Sequence, residues 1–77
     1  MAEKIRGVAI PHLKAWRIAR TISQTELAEQ AHVSRATITR AERGAIVSFP
    51  NVRTLAKVLG LTVAQMQREP SADADRE

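Results

Sequence analysis

Apolar residues along the chain fall into short groups at helical spacing, separated by residues that start or stop helices. Leu13, Trp16, Ala19 and Ile22 recur at the interval of one helix face. Pro11 suits the first turn of that helix, where its missing N–H costs nothing. Ser23-Gln24-Thr25-Glu26 reads as a capping box, in which the serine oxygen accepts from the N3 amide and the glutamate accepts from the amide of Ser23. A second helix therefore starts near Gln24, with Leu27, Ala28 and Ala31 facing inward. Ser34 caps a third helix over about 35–43, which Gly44 ends in a left-handed conformation. Residues 45–50 read as a loop, and Asn51 as the cap of a fourth helix bearing Val52, Leu55, Ala56 and Leu59 and ending at Gly60. Thr62-Val63-Ala64-Gln65 is a second capping box and opens a short fifth helix with Val63 and Met66. No segment alternates like a strand, so the pattern predicts an all-α domain of five helices. Residues 1–10 are expected to form a flexible arm, residues 11–67 the domain, and residues 68–77 a disordered acidic tail.

Length and composition narrow the function. A 77-residue chain is a single domain, and one so small buries only about 60% of its unfolded surface. It has no cysteine, and His12 and His32 stand apart without ligand-like spacing, so neither a disulfide nor a metal site is expected. No cofactor is expected either. The start lacks the apolar core of a signal peptide, and no run approaches the ~20 apolar residues of a membrane span. A cytoplasmic protein is the expectation. The net charge is +4 but uneven: from Arg68 onward two arginines face four acids, which leaves +6 on residues 1–67. A basic body points to a polyanionic partner, nucleic acid before an anionic membrane.

The interrupted helix at 26–44 carries the chemistry. With ~100° per residue, Ile38 and Ala41 turn toward the core together with Val33. Ala36, Arg40 and Arg43 form the opposite stripe, with Thr39 on one side of it and Thr37 on the other. That face is low in profile at Ala36 and cationic at Arg40 and Arg43, and the DNA major groove admits one such helix. Arginine can fork onto O6 and N7 of guanine, while threonine and alanine methyls suit the thymine methyl. The second helix should then cross the backbone, its open N-terminal amides and Gln24 placed at a phosphate. Arg17, beside Trp16, and Glu42, beside Ala41, both lie at the edge of apolar faces, where an unpaired charge is costly. They are expected to pair, fixing the first helix against the third.

These residues resemble a known family. The segment SQTELAEQAHVSRATITRAERG is similar to the helix-turn-helix of the phage-repressor (lambda-repressor-like, or XRE) family: Gln24 opens the second helix, Ala28 lies at the crossing, Val33 follows the turn, Ile38 enters the core, and Glu42 precedes Gly44. LKAWRIARTI resembles the family's first helix and NVRTLAKVLGLTVAQM its fourth and fifth, so the resemblance spans about 13–67. It implies a five-helix domain binding double-stranded DNA, with base-edge contacts from Arg35, Ala36, Thr37 and Arg40. It implies phosphate contacts from Gln24 and Ser34, and further ones from Arg43 and from the loop at Asn51, and it also implies the Arg17–Glu42 pair. Two departures stand out. His32 occupies a turn position where the family usually has glycine, so a left-handed histidine is expected at a cost on the order of 1 kcal/mol. The 45–50 loop is unusually apolar, and Ile46, Val47 and Phe49 either tuck under the core or form a dimer contact.

The leading expectation is a sequence-specific transcriptional regulator, a repressor acting by occlusion, bound as a homodimer on a roughly palindromic site. The alternative is a protein-interaction module of the same fold, such as an antitoxin or bridging cofactor, using Ile46 and Phe49. An enzyme is not expected: Ser34, His32 and Glu42 lie on helical elements without a glycine-rich loop or nucleophile turn.

Overall fold

A computed structural model describes residues 6–70. Five helices are joined by a small antiparallel strand pair: β1 (Gly7–Ala9), α1 (Leu13–Ala19), α2 (Gln24–Ala31), α3 (Arg35–Glu42), β2 (Ile46–Ser48), α4 (Phe49–Leu59) and α5 (Val63–Met66). Both capping boxes form. Ser23 Oγ accepts from the Glu26 amide at 3.0 Å while Glu26 Oε1 accepts from the Ser23 amide at 2.8 Å, and Thr62 and Gln65 repeat the arrangement. Ser34 caps α3, accepting from the Thr37 amide at 3.1 Å. His32 ends α2 in the left-handed region at φ 59°, and Gly60 ends α4 at φ 72°.

The helices bury one apolar face each around a common core. Leu13 and Trp16 come from α1, Leu27, Ala28 and Ala31 from α2, Ile38 and Ala41 from α3, Val52, Leu55, Ala56 and Leu59 from α4, and Met66 from α5. At about 25 cal/mol per Å² of apolar area, a large aliphatic side chain buried this fully contributes roughly 2 kcal/mol.

Four elements depart from the sequence expectation. Residues 7–10 are not part of a flexible arm: Gly7, Val8 and Ala9 pair with Ser48, Val47 and Ile46, and Ile10 is wholly buried. The pairing needs glycine at residue 7, because a Cβ there would lie 1.8 Å from the Val47 carbonyl oxygen. Residues 1–5, and the 71–77 part of the tail, lie outside the described residues. Residues 45–50 are not simply a loop. Strand alternation splits them, turning Val47 into the core while Ile46 and Phe49 stay 65% and 39% exposed. Asn51 does not cap α4, since that helix starts earlier, with Ser48 as N-cap and Pro50 in its first turn. Finally, α1 starts at Leu13, after Pro11, and ends at Ala19, before Ile22, because Thr21 takes a left-handed conformation at φ 60°.

Candidate nucleic-acid interface

A polar cluster joins the first three helices. Arg17 of α1 donates from Nε to Glu42 Oε2 of α3 at 2.5 Å, and its Nη1 donates to the Ile22 carbonyl at 2.9 Å. Both charged side chains are largely shielded, at 12% and 6% exposure. Their mutual pairing and the extra carbonyl acceptor meet the desolvation that would otherwise make either one costly.

Gln24 extends the cluster. Its Nε2 donates to Glu42 Oε1 at 3.0 Å, while its Oε1 lies 3.4 Å from Arg35 Nε and 3.5 Å from Thr39 Oγ1. Gln24, a candidate phosphate contact, is half-buried and couples the start of α2 to one flank of α3. Sequence reasoning missed the Gln24–Glu42 bond, because a glutamine at a helix start has water, phosphate and side-chain acceptors equally open to it. The capping box occupies the amides of Ser23 and Glu26, so the amides of Gln24 and Thr25 remain at the open end of α2.

The other flank of α3 is open. Ala36, Arg40 and Arg43 are exposed on the side opposite the buried Ile38 and Ala41. Thr37 and Arg40 line a shallow cleft of about 180 Å³ whose far wall is formed by Ile46, Ser48 and Asn51. The early start of α4 thus brings Asn51 to face the exposed side of α3. Arg40 and Arg43 make no side-chain hydrogen bond or ion pair with any described residue. Thr37 Oγ1 lies 2.9 Å from Ser34 Oγ, so these two hydroxyls satisfy one another at the first turn of α3.

The predicted site residues therefore fall into three groups. Arg17, Gln24, Arg35, Thr39 and Glu42 form one connected network. Thr37, Arg40 and Asn51 share the cleft. Ala36 and Arg43 flank it, exposed, and Ser34 caps the helix. Among the described residues no group of three or more His, Cys, Asp or Glu side chains could hold a metal ion, and no helix is long and apolar enough to cross a membrane.

The helix-turn-helix family model, which is lambda-repressor-like or XRE in type, matches residues 13–66, from the start of α1 to the end of α5. Nothing among curated proteins matches the chain. Among solved structures it is similar to the crystal structure of hypothetical transcription factor NHTF from Neisseria. The two are 22% identical, with a TM-score of 0.65, over 94% of this chain and 91% of that one. At that identity the likeness is one of fold.

Proposed function

This chain belongs to the lambda-repressor-like (XRE) helix-turn-helix family of DNA-binding transcription regulators, which are not enzymes, and from that membership we propose that it binds double-stranded DNA sequence-specifically with α3 in the major groove. The observation that carries this reading is the contrast across α3. Ile38 and Ala41 are sealed in the core, while Arg40 and Arg43 stand opposite them without a partner among the described residues. Arg35, Ala36, Thr37 and Arg40 meet base edges, and Arg40, which no described side chain engages, is free to fork onto guanine. The amides at the start of α2, with Gln24, take one phosphate. Ser34, Arg43 and Asn51 take others. Arg17 and Glu42 stay out of the DNA and hold α1 against α3.

The regulator is a repressor that occludes its site. It binds as a homodimer on a near-palindromic operator, because one short helix supplies few base contacts. Its compartment is the cytoplasm, at the nucleoid when DNA-bound. A second reading, a protein-interaction module of the same fold, has one observation in its favour, the exposure of Ile46 and Phe49 beside α3.

Duplex titration across a salt series tests the proposal. The expected log K falls linearly with log[salt], by about 0.9 per phosphate neutralised. Duplex binding that is undetectable at ~0.1 M salt, where surface charge is only partly screened, together with a stable protein partner would favour the second reading.

A further inference from the structure

An open groove of about 640 Å³ lies along α4, and its shape follows from how that helix stops. Gly60 takes φ 72°, and the Leu61 amide turns back to donate to the Ala56 carbonyl at 2.8 Å. The capping box of Thr62 and Gln65 then starts α5 at once, which sets Leu61 and Val63 beside the last turns of α4. Ala56, Leu61 and Val63 supply an apolar surface, and Val63 is 36% exposed. Arg53 and Lys57 line the same groove one helical turn apart, both exposed and with no carboxylate in ion-pairing range among the described residues. Thr54, between them, turns its hydroxyl back to donate to the Pro50 carbonyl at 3.0 Å.

Position and chemistry narrow what this groove can hold. Asn51 is the α4 residue that lines the cleft beside α3. At ~100° per residue, Arg53 and Lys57 lie about 160° and 120° around the helix from Asn51, turned away from a duplex held on the open flank of α3. Side chains one turn apart on a helix are about 6 Å apart, so these two cations match two carboxylates one turn apart on another helix. Apolar side chains on the same face of that helix would cover Leu61 and Val63, as an amphipathic helix does in a groove. A phosphate backbone meets the cations but brings no apolar side chain to that surface.

We propose that this groove docks an acidic amphipathic helix of a partner protein, with its carboxylates at Arg53 and Lys57 and its apolar side chains on Leu61 and Val63. The surface is separate from Ile46 and Phe49 and from the open flank of α3, so a partner here leaves α3 free.

The test titrates the full chain, without DNA, and reads its amide spectrum. It therefore stands whether or not the DNA-binding reading does. The probe is a synthetic helical peptide with glutamates one turn apart and leucines on the same face, at ~0.1 M salt, where exposed charges are partly screened. The amides of Arg53, Thr54, Lys57, Leu61 and Val63 are expected to shift and saturate. Replacing the peptide glutamates by glutamine, or using R53S/K57S protein, should each weaken binding about tenfold, as for two exposed ion pairs. The two changes together should weaken it no further, because they remove the same contacts. V63S should weaken both peptides alike. Shifts absent from these amides, or spread equally over Arg40 and Arg43, would overturn the proposal. So would equal binding of an acidic peptide without leucines, since charge alone would then suffice. Groove shifts caused by a duplex would assign the surface to DNA instead, and groove shifts that grow with protein concentration alone would assign it to a second copy of the chain.

Discussion

The two flanks of α3 are built from similar residues and serve opposite ends. On one flank Arg35, Thr39 and Glu42 are joined to Gln24 of α2, and Glu42 also to Arg17 of α1. On the other, Thr37 and Arg40 face an open cleft, and Arg40 has no partner among the described residues. A charged side chain that is nearly buried has to be satisfied within the protein. One standing in water keeps its hydrogen-bonding capacity for a ligand. The difference teaches that the polar residues of a recognition helix need not share a role: the shielded Glu42 fixes how the helix is held, the open flank is left free to read, and the exposed Arg35 stands at the border, tied to Gln24 yet within reach of a ligand.

Substitutions on the two flanks should separate stability from DNA binding. The largest effect is expected at Glu42→Ala. It strands the Arg17 guanidinium and Gln24 Nε2 together, and by the cost of breaking a buried pair it should remove about 3 kcal/mol, measured by urea denaturation. A loss below about 0.5 kcal/mol, the range of ordinary surface changes, would mean that the network does not brace the helix. On the open flank, Arg40→Ala should leave stability within about 0.5 kcal/mol of the original. It should cost about 2 kcal/mol on the preferred duplex and much less on random duplexes, as for loss of one bidentate base contact. Arg43→Ala, by contrast, should weaken both duplexes alike and lower the salt slope by about 0.9. Gln24→Ala should cost about 1 kcal/mol of stability, one hydrogen bond's worth, because Arg17 continues to satisfy Glu42. Smallest is Thr21→Gly, expected to stabilise by about 0.5 kcal/mol. There a β-branched residue is held at φ 60°, a strain that glycine relieves at the expense of unfolded-state entropy.

Much of the helical layout is legible in the sequence because capping is local chemistry. Ser23 with Glu26, and Thr62 with Gln65, are each three residues apart and need no other part of the chain to close their hydrogen bonds. The β1–β2 pair is not legible in the same way. Three residues are too few to display alternation, and the pairing joins Gly7 to Ser48 across most of the domain. Without that pair the apolar run at 45–50 looks like a loop and Asn51 is the nearest capping residue, whereas α4 starts at Phe49 behind Ser48.

Within the candidate site, the Arg17–Glu42 pair can be inferred because both charges lie at the edge of apolar helix faces, which demands a partner. The Gln24–Glu42 bond cannot, because only the crossing of α2 over α3 decides which acceptor the amide meets. Thr21 shows the opposite failure. Its intrinsic preference argues against the left-handed conformation that the α1–α2 turn imposes, so tertiary packing overrides the local signal.

Binding-site selection from random duplexes, carried out in parallel with the original chain and with Arg40→Ala, addresses most directly whether the open flank of α3 reads base edges. The original chain should enrich a motif containing a fixed guanine, and the variant should lose preference at that position while keeping the rest of the motif. If neither protein enriches a motif, or both enrich the same one, α3 does not read DNA in the way its exposed flank suggests.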